Sequence, residues 1–152
     1  MTDQPRNVLF LCTHNSARSI LAEGIMTLHG AGRFTGYSAG SHPSGRVNPY
    51  ALEVLQSHGC NTAGMHSKHW KTFTGWRAPV MDFIITVCDN AAGEACPVWP
   101  GEPLQLHWGF SDPSTVGSDD AARRAAFHDT ARQIAARIGA FIDERGGAGA
   151  VG

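Results

Sequence analysis

Residues 8–23, VLFLCTHNSARSILAE, decide the fold. Val8 to Leu11 is an apolar run of strand length that ends at Cys12; Arg18 and Ser19 follow six and seven residues later, opening a segment with helical spacing. The stretch therefore reads as strand, tight loop and helix N-terminus. In a loop of the form Cys-x-x-x-x-x-Arg-Ser, the backbone N–H groups of Thr13, His14, Asn15, Ser16, Ala17 and Arg18 can converge on an anion, backed by the positive end of the helix. Arg18 can grip two oxygens of a tetrahedral anion through its planar fork, which a lysine cannot do in the same way. The same positive surroundings are expected to draw the Cys12 thiol down from a free pKa of ~8.5 into the roughly 3.5–7.5 range of activated cysteines. Asn15 tolerates positive φ and can tie the loop to itself, and the Ser19 hydroxyl is placed to donate to the sulfur. The bland alternative is a buried cysteine that merely ends a strand. Cys, Asn, Arg and Ser together at this spacing favour a nucleophile poised under a tetrahedral oxyanion.

Outward from this stretch, strands and helices alternate. Residues 18–29 place Ile20, Leu21, Ile25 and Leu28 on one helical face, and Gly30 and Gly32 are expected to end that helix. Phe34 to Ala39 reads as a short second strand. Asn48-Pro49 is a cap followed by proline at the first helical position, with Ala51, Leu52, Val54 and Leu55 as the apolar face until Gly59. Met65 to Arg77 reads as a short helix with loops. Phe83 to Val87 is a continuous apolar run, as expected of a buried parallel strand, and it too ends at a cysteine, Cys88. Pro103 to Trp108 is the last strand, and Asp119 opens a long helix with Phe127, Ala131, Ile134, Ile138 and Phe141 inward. The pattern predicts one α/β domain over residues 1–145, an open, four-stranded parallel sheet with helices on both faces in three layers, and a disordered glycine- and alanine-rich tail over 146–152. Ligands of such folds bind beyond the C-terminal ends of the strands, where Cys12 and Cys88 both lie.

The 152 residues carry 12 Lys+Arg and 13 Asp+Glu with no basic block, which argues against nucleic acid as a partner. No apolar run approaches the ~20 residues of a membrane span, and MTDQPRN lacks the features of a signal peptide. A cytoplasmic monomer is expected. Four cysteines in a reducing compartment point to catalysis or metal binding before a disulfide framework. With the first and third strands as neighbours, Cys12 and Cys88 would open onto one sheet edge, a small movement from the ~4.4–6.8 Å Cα separation of a disulfide. Cys96 lies eight residues beyond Cys88; across a helix the two Cα atoms would stand ~12 Å apart, so pairing them needs the segment to unwind. Gly93 and Pro97 make 88–100 a candidate redox-switched loop, although Cys96 also reads as an ordinary loop cysteine. A zinc site from Cys88, Cys96 and histidines has an unusual ligand spacing, and no metal is expected. Cys60 reads as structural. Asp112, in HWGFSDP after the last strand, could protonate a departing oxygen, but from spacing alone an Asp-Pro turn is the stronger reading.

Together CTHNSARS, SAGSHP followed by VNPYA, ITVCDNAAGEACP and HWGFSDP resemble the arsenate reductases built on the low-molecular-weight tyrosine phosphatase fold, from about Asn7 to Pro113. Cys88 and Cys96 in their VC…CP context make the resemblance specific to the reductases. Phosphatases of this fold typically follow the Asp-Pro with tyrosines, where this chain has Ser114-Thr115. The resemblance implies a three-cysteine relay. Cys12 attacks arsenate held by the loop and Arg18, Asp112 acts as general acid, Cys88 attacks Cys12 and releases arsenite, and Cys96 resolves the bridge as a Cys88–Cys96 disulfide. Thioredoxin, or glutathione with glutaredoxin, would return the dithiol, and phosphate or sulfate would compete with arsenate. No tightly bound cofactor is implied. Some relatives bind potassium near the loop, for which Asn15, Glu23 and Ser38 are candidates; residues 65–71 carry no carboxylate, which argues against potassium dependence. His14 stands where many relatives have glycine. A phosphatase acting on phosphotyrosine or a small phosphoester, and a non-enzymatic redox or oxyanion sensor, are the competing readings.

Overall fold

Four parallel strands form the sheet, in the order β2-β1-β3-β4. They are β1 (Arg6–Cys12), β2 (Phe34–Gly40), β3 (Phe83–Thr86) and β4 (Leu104–His107), accompanied among the described residues by the α-helices α1 (Arg18–Gly30), α2 (Pro49–Ser57) and α3 (Asp120–Arg145). The computed structural model describes residues 4–88, 99–115 and 118–145. Cys96, most of the 88–100 loop and the 146–152 tail therefore lie outside the described residues.

Strand order follows from which runs tolerate burial on both faces. β1 and β3 are buried along nearly their whole length and occupy the centre, whereas β4 is largely exposed and forms an edge. Chain connections run from β1 outward to β2 and then back across to β3, so the direction reverses between the two central strands. Their C-terminal ends flank the crevice where doubly wound sheets bind ligands. Along β1 the side chains alternate. Val8 and Phe10 pack with Ile20, Leu21, Ile25, Leu55 and the inner face of α3, and Leu9 and Leu11 pack with Phe73, Met81, Ile84 and Trp99 on the other side. Among the described residues, α1, α2 and α3 cover the first face, and a 3-10 helix, Trp70–Phe73, lies over the second.

Local sequence explains most element ends. Asn48 accepts from the Tyr50 N–H at 2.9 Å with Pro49 at the first helical position, and Asp119 accepts from the Ala122 N–H at 2.8 Å to start α3. Phe127, Ala131, Ile134, Ile138 and Phe141 are all buried, as their spacing predicts. Two details differ. Leu28 is exposed, because α1 is buried on a broad arc through Ala22, Gly24 and Met26 and its last turn overhangs a groove beside Cys60 and Met65. The left-handed residue that closes α1 is Ala31, at φ 49°, one residue before Gly32 at φ 85°. Within 65–77 only Trp70–Phe73 is helical, held at its start by His69, whose Nδ1 accepts from the Lys71 N–H at 3.0 Å. No helix among the described residues is long and apolar enough to cross a membrane.

Candidate active site

Cys12 is the last residue of β1, and residues 13–17 loop over its side chain before α1 begins. The loop is held from outside. The carbonyls of Thr13, His14 and Ser16 accept from the N–H groups of His42, Ser44 and Asn48 at 2.8, 3.0 and 2.9 Å. Across a trans peptide the carbonyl and the following N–H point in opposite directions, so the N–H groups of His14, Asn15 and Ala17 turn away from the 41–48 strap. Amides turned to that side of the loop, with the first turn of α1 next in the chain, are of the kind that can bind an oxyanion. Gly40 makes the close fit possible. It pairs with Cys12 across β2, and a Cβ there would stand 2.5 Å from the Thr13 carbonyl oxygen and 2.7 Å from that of Cys12.

Asn15 is the brace. Fully buried at φ 49°, it donates from Nδ2 to the Ser19 Oγ at 2.8 Å and accepts at Oδ1 from the Lys68 N–H at 2.9 Å. One amide thus links the loop, the first turn of α1 and the 65–69 segment. Ser19 is buried with it, and His14 sits exposed on the rim.

Arg18 reaches across the mouth. Its Nη1 donates to the Phe110 carbonyl at 2.9 Å, and its Nη2 lies 3.6 Å from the Asp112 Oδ2. Asp112 forms the turn that its sequence context allows and faces Arg18. Its Oδ1 accepts from the Ser114 N–H at 2.9 Å and the Ser114 hydroxyl at 2.7 Å, which forms the turn, and this leaves Oδ2 directed at Arg18.

Cys88 follows β3 with its side chain buried, and its thiol is hydrogen-bonded to that of Cys12. The Thr13 hydroxyl lies 3.7 Å from the Cys88 sulfur. This pairing overturns one expectation, that the loop alone would hold the Cys12 pKa low. The bond to Cys88 pushes the Cys12 pKa up and burial adds to the effect, against the Arg18 guanidinium and the Thr13 backbone N–H, which favour the thiolate. Cys60 lies apart; its sulfur donates weakly to the Gly24 carbonyl at 3.6 Å. Among the described residues no group of three His, Cys, Asp or Glu side chains could hold a metal ion.

The oxygens considered for potassium are already engaged within the chain. The Asn15 Oδ1 is taken by the Lys68 N–H, the Glu23 Oε1 accepts from the Ser38 hydroxyl, and the Lys68 Nζ stands 3.0 Å from the Ser38 carbonyl and 4.0 Å from the Glu23 Oε1. Lys68 escapes a reading of the sequence because no acid lies near it in the chain; so does the Phe110 carbonyl, since a backbone acceptor leaves no mark on residue type.

A parallel sheet with a thiol beneath an amide-lined loop and an arginine at its mouth defines an oxyanion-binding α/β protein. Residues 7–145 match the low molecular weight phosphotyrosine protein phosphatase family, and the chain belongs to it. An arsenate reductase of Halalkalibacterium halodurans is 32% identical over 136 residues, which cover 90% of this chain and 94% of that protein. A solved arsenate reductase in its oxidised state superposes with a TM-score of 0.71 at 26% identity, covering 91% of this chain and 98% of its own. A low molecular weight phosphotyrosine phosphatase of Vibrio cholerae O395 shares the fold with a TM-score of 0.69 at 21% identity, covering 91% of this chain and 95% of its own.

Proposed function

We propose that this protein reduces arsenate to arsenite by a thiol relay from Cys12 to Cys88 to Cys96. The observation that supports this reading is the second thiol: Cys88 is hydrogen-bonded to the nucleophile beneath the anion loop, a position that phosphoester hydrolysis has no use for. The arsenate reductase relatives agree with it.

Arsenate enters against the amides of residues 13–18, and Arg18 leaves the Phe110 carbonyl to take two of its oxygens. Cys12 attacks arsenic. The thiol proton and the proton of the arsenate dianion leave with one oxygen as water, with Asp112 passing a proton to the departing oxygen as general acid. The Ser19 hydroxyl, which accepts from Asn15, would donate its own proton to the Cys12 sulfur as the thiolate forms. The Cys88 thiolate then attacks the Cys12 sulfur. A Cys12–Cys88 disulfide forms, the sulfur–arsenic bond breaks, and its electron pair leaves with arsenic, which is reduced from the +5 to the +3 state and departs as arsenite on protonation. Cys96 attacks Cys88, freeing the Cys12 thiol. A cytosolic thiol reductant, thioredoxin or else glutathione with glutaredoxin, reduces the resulting Cys88–Cys96 disulfide. Phosphate and sulfate compete for the same loop.

Arsenate-dependent NADPH oxidation tests this with thioredoxin and thioredoxin reductase, and in parallel with glutathione and glutaredoxin. Turnover with one system and none in Cys12→Ser, Cys88→Ser and Cys96→Ser is the expected result. Silence with both, beside phosphoester hydrolysis that needs Cys12 and not Cys88, would make the protein a phosphatase. The carboxyl of Asp112 at the loop mouth is the feature that favours this second reading.

A further inference from the structure

We propose that Lys68 is a tethered cation: its ammonium supplies the positive charge required by the Glu23–Ser38 cluster behind the loop, which makes it a positioning residue for oxyanion binding. The inference rests on the reading of residues 12–18 as the oxyanion loop.

The cluster is built from three separate parts of the fold. Glu23 comes from α1, Ser38 from β2 and Lys68 from the segment that crosses beyond β2. The side chains of Lys68 and Glu23 are only 11% and 19% exposed. Burial pushes the Glu23 carboxyl up and the Lys68 ammonium down, so each would be costly alone. Three contacts offset that cost: Ser38 Oγ to the Glu23 Oε1, the Lys68 Nζ to the Ser38 carbonyl at 3.0 Å, and the ammonium 4.0 Å from the Glu23 Oε1.

The same residue reaches the loop through its backbone. The Lys68 N–H donates to the Asn15 Oδ1 at 2.9 Å, the Lys68 carbonyl accepts from the Gly40 N–H at 2.9 Å, and the neighbouring Ser67 hydroxyl donates to the His14 carbonyl at 3.1 Å. Side chain and main chain of one residue thus pin opposite ends of a single path, from Glu23 through Asn15 to Ser19. If the ammonium lets go, the peptide that orients Asn15 loses its anchor, and with it the only described residue that bonds both Ser19 and the 65–69 segment.

A lysine serves here where a free ion could have served, because the oxygens that converge on the Nζ would suit either. The difference is that a tethered charge needs no ion from solution. The cluster also borders a hollow of about 350 Å³ lined by Tyr37, His66, Thr72 and Phe73, which gives a small cation a route to the carboxylate if the lysine stem is removed.

The test measures binding of inorganic phosphate to the full chain, together with its melting temperature, in choline, potassium and ammonium chloride at equal ionic strength. The wild type should be indifferent to the salt. Lys68→Ala should bind phosphate roughly tenfold more weakly in choline chloride, at the low end of what removing an outer-shell support costs. It should recover most of that affinity, and its melting temperature, in ammonium or potassium chloride. Lys68→Met, whose side chain fills the space without charge, should be weak in all three. A Lys68→Ala protein that folds only with ammonium or potassium supports the proposal equally. Three results would overturn it: Lys68→Ala equally weak or unfolded in every salt, Lys68→Ala as tight as wild type in choline, or a wild type that itself tightens with potassium. Phosphate binding needs no arsenate chemistry. A failure of the reductase reading would leave this result standing, and the reverse also holds.

Discussion

Cys12 and Cys60 are the same residue type set in two different surroundings. Cys12 ends a central strand, receives the Thr13 N–H, faces Arg18 and touches a second thiol. Cys60 follows α2, is half-buried, and has only burial acting on it, which pushes its pKa up. Its sulfur meets one carbonyl, that of Gly24, beside a groove lined by Leu28, Met65 and Gly64. A thiol becomes a nucleophile through directed donors and a nearby cation, and burial alone works the other way. The difference between the two regions is therefore one of bracing. Around Cys12 the loop carbonyls are tied to the 41–48 strap and Asn15 is held at both ends of its amide; around Cys60 the chain turns with Gly59 at φ 88° and its other hydrogen bonds are local, within a few residues in the chain.

Mutations can break or sharpen that contrast. The largest effect is expected at the loop itself. Cys12→Ser should abolish arsenate turnover, and Arg18→Lys, which keeps the charge and loses the fork, should lower kcat/KM by about 10²–10³-fold, as for the loss of an oxyanion donor. Steady-state kinetics with the coupled reductant measures both. An Arg18→Lys enzyme within about threefold of wild type would show that charge without directed geometry is enough.

Next in size is the effect of the thiol pair. Cys88→Ala should stop arsenate turnover while leaving any phosphoester hydrolysis intact. It should also move the Cys12 pKa down, because the bond to Cys88 is the largest of the influences that raise it, and Arg18 and the Thr13 N–H then act against burial alone. The rate of iodoacetamide labelling at Cys12 follows the thiolate fraction, so its inflection should shift to lower pH than in the wild type. An inflection that stays in place or rises would mean that Cys88 does not push the Cys12 pKa up.

A smaller, purely structural loss is expected at the brace. Asn15→Ala removes two buried hydrogen bonds and places a Cβ residue other than Asn at φ 49°, which together should cost about 3 kcal/mol of stability in urea unfolding. The smallest effect belongs to the other cysteine. Cys60→Ala should change stability by no more than about 1 kcal/mol and leave kcat/KM at wild-type values, since only a weak sulfur–carbonyl contact is lost. A large loss of turnover in that variant would erase the contrast between the two regions.

Much of this was legible in the chain because it depends on short spacings. Asn48-Pro49 and Asp119 cap their helices through bonds to residues two and three positions away, and the apolar face of α3 repeats with the helical period. The loop from Cys12 to Ser19 is likewise local: the positive φ of Asn15 and its bond to Ser19 lie within four residues. Leu28 went the other way for a tertiary reason, because the last turn of α1 extends past the elements that would have covered it.

By itself, then, the sequence determined the strand–loop–helix unit with its thiol and arginine, the helix caps, and the alternation that makes a parallel sheet, since each is set by neighbours within one or two turns of chain. Only the tertiary structure decided the rest. Placing β3 beside β1 brings Cys88, 76 positions on in the chain, against Cys12 and pushes the Cys12 pKa up. Crossing the 65–69 segment beyond β2 carries Lys68 to Glu23 and Asn15. Both outcomes depend on buried charges and protons meeting across long stretches of chain, and the energy of such a meeting is set by burial and by the partners that surround it.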